Sequence, residues 1–415
     1  SIPEGVTSIG KGAFYNCSNL VSISIPKGVT SIGESAFEGC ANLTSISIPE
    51  GVTSIGESAF YECRNLVSIS IPEGITSIEG SLFSRCNKLT SISIPEGVIS
   101  IGDEAFRACG ELTSINVPES VTSIGEGAFS VCSNLTSISI PEGVTNIGEG
   151  AFSACSRLIN IEVNRNNKSY RSENNCIIEQ TQNVLVAGCK TSVIPEGVTS
   201  IGDYAFYSCD ELTSVNIPEG VTSIGDYAFS DCDGLTSVNI PEGVLSIGKG
   251  AFVSCSELTN VSISSGVVSM GDNVFNACCK LTSINIPEGV TSIGNNAFDG
   301  CRELTNINIP ESVTSIGNQA FYGCYRLTSI SIPERVTSIG NQAFSACYSL
   351  VSIIVDKNNK NYRSENNCII DCEQNKLVIG CNATVIPEGI TSIGESAFCG
   401  CDGLTSVNIP EGVTS

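Results

Sequence analysis

The sequence predicts an α/β solenoid, a single domain of stacked coils covering residues 1–415. Three observations carry that expectation. The wording Leu43-Thr-Ser-Ile46-Ser-Ile48-Pro-Glu-Gly-Val52-Thr-Ser-Ile55-Gly-Glu-Ser-Ala59-Phe60-Tyr-Glu-Cys63 starts again at Leu66, 23 residues on, and can be followed along the whole chain. A period of roughly 20–50 residues marks stacked supersecondary units, none able to bury its apolar face alone. All 15 prolines occupy one place in the unit, and all 15 phenylalanines another.

Within a unit, Ile46 and Ile48 alternate with Ser45 and Ser47, the period-2 signal of a strand with one buried face. Pro49 cannot donate to a ladder and stops that strand, and Gly51 permits the sharp turn after it. Val52 to Ile55 makes a second short segment facing inward. Gly56-Glu57 then opens one helical turn, with the acid set against the partial positive charge of a helix start. Ala59, Phe60 and Cys63 return inward at helical spacing. Stacked coils turn these positions into continuous ladders of Ile, Phe and Cys.

Seven coils run from residue 1 to about Arg157, with ladder cysteines 23 apart and Glu79-Gly80 reversing the usual glycine–acid order. Between Cys155 and Cys209 the step lengthens to 54 residues. This insert, about 163–192, reads as an Asn-rich turn from Val163 to Tyr170, then a hairpin turning near Gln182-Asn183. The pattern returns at about 355–384 with Asn358-Asn359, Tyr362, Cys368 and Cys381. Two super-repeats follow, 1–192 and 193–384, and 385–415 begins a third. A two-residue hairpin turn would set Cys176 across from Cys189, and Cys368 across from Cys381. Each pair would then either bridge or pack as two free thiols.

A net charge of −23 argues against nucleic acid and anionic membrane surfaces as partners. No apolar run approaches the ~18 residues of a membrane-spanning helix. Ser1 and Ser415 fall mid-repeat, without the polar capping unit a solenoid needs. The expectation is an excerpt of a longer protein, or a unit that self-associates end to end. With no histidine and no tryptophan, His-based triads, Cys–His pairs and His metal sites are excluded. Ser and Thr recur at fixed outward positions, and the cysteines lack zinc-site spacing. No P-loop or dinucleotide fingerprint occurs. The chain is therefore not read as an enzyme, and no catalytic, cofactor-binding or metal residue is assigned. Fifteen of the 22 cysteines lie on the ladder and read as buried thiols acting as small hydrophobes. So many thiols suit a reducing setting better than an oxidising one.

Leu-x-x-Ile-x-Ile followed by Pro-x-x-Val-x-x-Ile-Gly-x-x-Ala-Phe-x-x-Cys-x-x-Leu resembles the BspA-type leucine-rich repeat over essentially the whole chain. The resemblance implies a right-handed leucine-rich-repeat coil, with a parallel concave sheet and short helical or 3-10 turns on the convex side. It also implies extracellular or cell-surface proteins of bacteria and some parasitic protists, often linked to adhesion. The family shares no catalytic residues to carry over.

Three surface features are candidate sites. The concave sheet face, read from Ser45, Ser47, Ser91, Ser93, Asn116, Asn216, Asn239, Asn285 and Asn308, is small, uncharged and rich in hydroxyls and amides. A broad concave surface is the usual binding face of a solenoid. This one lacks Tyr, Trp and Arg anchors, so weak repeated contacts made useful by avidity are expected. Tyr204, Tyr207, Tyr227, Tyr322, Tyr325 and Tyr348 cluster beside the helical turn as a possible contact patch. A row of carboxylates runs through Glu50, Glu73, Glu96, Glu119 and Glu142, continues at Glu196, Glu219 and Glu242, and resumes at Glu288, Glu311 and Glu334. Stacked carboxylates repel one another, and weak calcium binding would relieve them; otherwise the row is a solvated edge. The expected function is non-enzymatic adhesion or binding to a protein or cell-surface ligand. The alternative is a structural rod or filament subunit.

Overall fold

The structure, a computed structural model, describes residues 2–414; the repeat phase at Ser1 and Ser415 lies outside the described residues. Contacts divide the chain into two compact units, Ser1–Cys209 and Asp210–Ser415. Both are built from one kind of coil. Each coil returns to the same side only after a full circuit, so successive strands pair in parallel. In the first unit, Ser22–Ser24, Ser45–Ser47, Ser68–Ser70 and Ser91–Ser93 pair side by side, with Ile23, Ile46, Ile69 and Ile92 in register. A second ladder of two-residue strands joins Ser8–Ile9, Ser31–Ile32 and Ser54–Ile55. The second unit repeats the arrangement from Ser214–Asn216 to Asn306–Asn308. The fold is a parallel β-solenoid.

The corner forms as expected from proline: Val52 N–H donates to Pro49 O at 3.0 Å, closing a turn. Gly51 does not use the left-handed region there. Left-handed φ falls instead on Ser58 and Glu62, both at 57°.

Those two residues correct the expected helical turn. Among the described residues there is no helix. The N–H groups of Ser58, Phe60 and Glu62 donate outward, to Gly80, Leu82 and Ser84 of the next coil. Those of Ala59, Tyr61 and Cys63 donate three residues back within the coil, to Gly56, Ser58 and Phe60. A helix would satisfy all of these internally and leave nothing for the neighbour. Coil-to-coil hydrogen bonding therefore wins, and an αL residue in every fourth place alternates the direction of the N–H groups.

The glycine after each short strand has a spacing role. Gly56 N–H donates to Ile32 O at 2.8 Å, and a Cβ on Gly56 would sit 2.4 Å from the Glu34 backbone nitrogen. Only glycine lets the backbones approach so closely. The ladder is interrupted between Ser54–Ile55 and Ser77–Ile78, where Glu79 stands in the glycine's place, and also between Ser269–Met270 and Ser292–Ile293, where Gly294 keeps it.

The interior is a continuous cluster of Leu, Ile, Val, Phe and Cys in the first unit. Phe14 to Phe152 stack ring on ring at 5.1–5.7 Å, within the range where offset aromatic pairs attract. Phe229 to Phe344 do the same in the second unit. The ladder thiols are more than small hydrophobes. Cys63 Sγ donates to Phe37 O at 3.3 Å and Cys86 Sγ to Phe60 O at 3.3 Å. The same carbonyls also accept Cys40 N–H and Cys63 N–H, so both lone pairs are used. Burial pushes the thiols of Cys155, Cys255 and Cys347 up to about 12.

Each insert is a three-stranded antiparallel meander, one strand more than expected. Tyr170–Glu173 pairs with Cys176–Glu179, which pairs with Val184–Ala187. The extra hairpin turns at Asn174 and Asn175, with φ of 50° and 60°, the positive pair a tight two-residue turn demands. The hairpin near Gln182-Asn183 is longer, because Glu179 faces Val184 across four residues. Cys176, Cys189, Cys368 and Cys381 are all buried free thiols. Buried Asn167 anchors the insert: its amide donates to Pro141 O and Val144 O at 2.7 and 2.9 Å, and its oxygen accepts Ser169 and Tyr170 N–H. Asn359 repeats this set in the second insert.

Candidate binding face

Strand alternation places Ile46 inside and Ser45 and Ser47 outside, and the same pattern holds for Ser91 and Ser93. Asn116, Asn216, Asn239, Asn285 and Asn308 are likewise exposed. None of these nine side chains hydrogen-bonds to another described residue. The neighbouring threonines behave differently. Thr136 Oγ1 donates to Thr113 O at 3.3 Å and Thr282 Oγ1 to Thr259 O at 3.5 Å, so threonine polarity is turned toward the backbone of the preceding coil. The free amides and hydroxyls lie on the strand positions.

In the second unit these positions close up into a lattice. Asn260, Ser283 and Asn306 form one column in parallel register, and Ser262, Asn285 and Asn308 lie along the adjacent one. Together they line an open depression of about 580 Å³. Sequence reading found Asn285 and Asn308 but missed Asn260 and Asn306. The signal was present, since asparagine replaces serine two places earlier on the same strand face. The depression carries no charged side chain, so any contact it makes is by neutral hydrogen bonds, each of modest net strength.

Tyr204 and Tyr207 tilt against each other at 5.7 Å in the first unit. In the second, Tyr325 and Tyr348 stack at 4.8 Å, both exposed, with the Arg302 guanidinium 5.6 Å from the Tyr325 ring. Tyr227 lies under Lys249 Nζ at 5.8 Å, and Tyr322 is half-buried. The Glu row, from Glu50 through Glu196 to Glu334, is exposed throughout. Glu142 accepts from Asn166, and Glu242 accepts from Ser265 and the Gly266 N–H. Among the described residues no group of three or more His, Cys, Asp or Glu side chains converges as a metal site would need. No helix of the described residues is long and apolar enough to cross a membrane.

Short parallel strands in register, a stacked Phe ladder and one exposed polar strand face define a leucine-rich-repeat solenoid. The chain belongs to the BspA-type leucine-rich-repeat family, whose repeat region matches residues 1–109, 76–182, 187–287, 268–388 and 379–415. Among solved structures it is similar to a leucine rich cell surface protein of Faecalibacterium prausnitzii. That likeness has 36% identity and a TM-score of 0.62, covering 81% of this chain and 83% of that one. A leucine-rich repeat protein of Bacteroides ovatus is 27% identical with a TM-score of 0.51, over 94% and 92% of the two chains. One of Eubacterium ventriosum is 26% identical with a TM-score of 0.60, over 78% and 82%. No curated protein matches the chain.

Proposed function

We propose that this chain is a non-enzymatic binding module displayed at a cell surface or secreted, gripping a protein or cell-surface ligand through its strand face. The observation that carries the reading is the uncharged lattice of Asn and Ser held one coil apart, its side-chain hydrogen-bonding groups unspent apart from the Asn306 amide, which donates to Thr305 Oγ1 at 3.4 Å. Identical weak contacts at a fixed spacing suit a ligand that itself repeats, where linkage multiplies affinity by orders of magnitude without new contacts. Family membership and the cell-surface description of the Faecalibacterium protein support the location.

The test compares beads carrying many copies of the chain with the soluble chain, on intact cells and on immobilised extracellular matrix. Strong bead retention with weak soluble binding is expected. Replacing Asn239, Asn285 and Asn308 together by Lys should cut bead retention at least about tenfold while leaving the melting temperature near that of the parent. Retention that ignores those three positions would sink the assignment to this face.

A further inference from the structure

The second inserted rung holds a cavity that the strand-face reading does not use. On the strand side the insert adds a layer, with Lys376–Ile379 paired to Ser392–Ile393. On the turn side it adds none: Ala346 N–H donates directly to Cys399 O, and Gln342 Nε2 to Ser396 Oγ, both at 3.1 Å. The rung is a wedge. The short-strand ladder that reaches Ser338–Ile339 ends there, and the Ile339 N–H donates to the Tyr362 phenol oxygen at 3.2 Å instead. The wedge opens a cavity of about 220 Å³, with Phe344, Ile379 and Ala397 among its apolar lining and Asp371, Lys376 and Glu395 among its charges.

Those charges do not neutralise one another. Among the described residues Lys376 makes no ion pair, and neither Asp371 nor Glu395 has a cationic partner. One Asp371 carboxylate oxygen accepts the Gln374 N–H at 2.8 Å. The Lys376 stem runs past Gly394, where a Cβ would lie 3.1 Å from its Cε, so the ammonium is held at the cavity wall. Asp371 and Lys376 face each other across the antiparallel pair without closing an ion pair, both are half-buried and Glu395 is exposed, so each still has a charge to offer a ligand.

We propose that this cavity binds a small zwitterion of the α-amino-acid class, with its carboxylate on Lys376, its ammonium on Asp371 or Glu395, and its side chain against Phe344 and Ile379. A zwitterion satisfies both signs at once. A neutral sugar would leave Lys376 unpaired, and a metal cation would be repelled by it. The super-repeats supply an internal control. The first copy has Glu179 and Asp203 where the second has Asp371 and Glu395, but Val184 where the second has Lys376. Both acids recur, whereas the cation belongs to the second copy.

Saturation-transfer NMR with the common L-amino acids, each at about 10 mM, reads binding in the millimolar range. At least one amino acid should bind saturably, and Lys376→Val, which restores the first copy's residue, should weaken it tenfold or more at an unchanged melting temperature. Should that variant not fold, Lys376→Met keeps the stem and removes only the charge. Failure of every amino acid to bind saturably, binding that survives loss of Lys376, or displacement of the amino acid by glucose would each overturn the proposal.

Discussion

Two glycines five positions apart in the repeat illustrate how single residues act here. Gly51 at the proline corner has ordinary φ, and an added Cβ would lie 3.5 Å from Lys27 O, an ordinary contact. Gly51→Ala should therefore be neutral or stabilise by about 0.4–1 kcal/mol, by narrowing the unfolded ensemble. Gly56→Ala forces a Cβ into the Glu34 backbone and should cost about 1–3 kcal/mol, as overpacking does. Urea unfolding of the two variants side by side checks the contrast, and equal effects would refute it. At the thiol ladder, Cys86→Ala removes the sulfur and leaves the Phe60 carbonyl with one donor, a loss of about 0.5–1.5 kcal/mol for the one hydrogen bond. Cys86→Ser keeps a hydroxyl to offer that carbonyl and should be the milder change. If serine proves as damaging as alanine, the thiol hydrogen bond contributes nothing.

At the scale of the element, the coil is held by hydrogen bonds that leave it. The strand side uses its ladder, and the turn side uses alternate N–H groups aimed at the neighbouring coil. One of these connections is missing where Glu79 stands in the glycine's place. Exchanging the pair, as Glu79→Gly with Gly80→Glu, restores the wording of the other coils and should allow the missing backbone bond, a gain of about 1 kcal/mol. Hydrogen exchange at position 79 should slow alongside, and an amide that still exchanges freely would show that the break has another cause. The inserts are also legible at this scale in retrospect: adjacent asparagines at 174–175 and 366–367 adopt paired positive φ. Without a turn assigned at those pairs, the sequence yields one strand fewer in each insert than the structure has.

For the molecule as a whole, the buried thiols make alkaline pH the weak flank. The ordinary thiol value is 9.0, and burial raises Cys155, Cys255 and Cys347 to about 12. The folded chain keeps these protons where the unfolded chain releases them. Their contribution is complete below pH 9 and is lost as pH climbs toward 12, at about 1.4 kcal/mol per pH unit for each thiol. Thermal melts across that window should therefore fall steeply, and replacing the three thiols with Ala should flatten the slope while lowering the plateau. A melting temperature indifferent to pH between 9 and 12 would contradict the buried, unbridged state.

The repeat, the buried faces, the proline corner and the outward polar strand positions can all be read from the amino-acid sequence alone. Each depends on spacing along one coil, and spacing is written in the chain. That the turn is not a helix, that the thiols donate to carbonyls, that Gly56 is a spacer and that the insert is a wedge with a cavity emerges once the coils are stacked. All four depend on what the neighbouring coil offers. A backbone N–H is satisfied by whichever carbonyl comes within reach, and that choice is made between coils rather than within one.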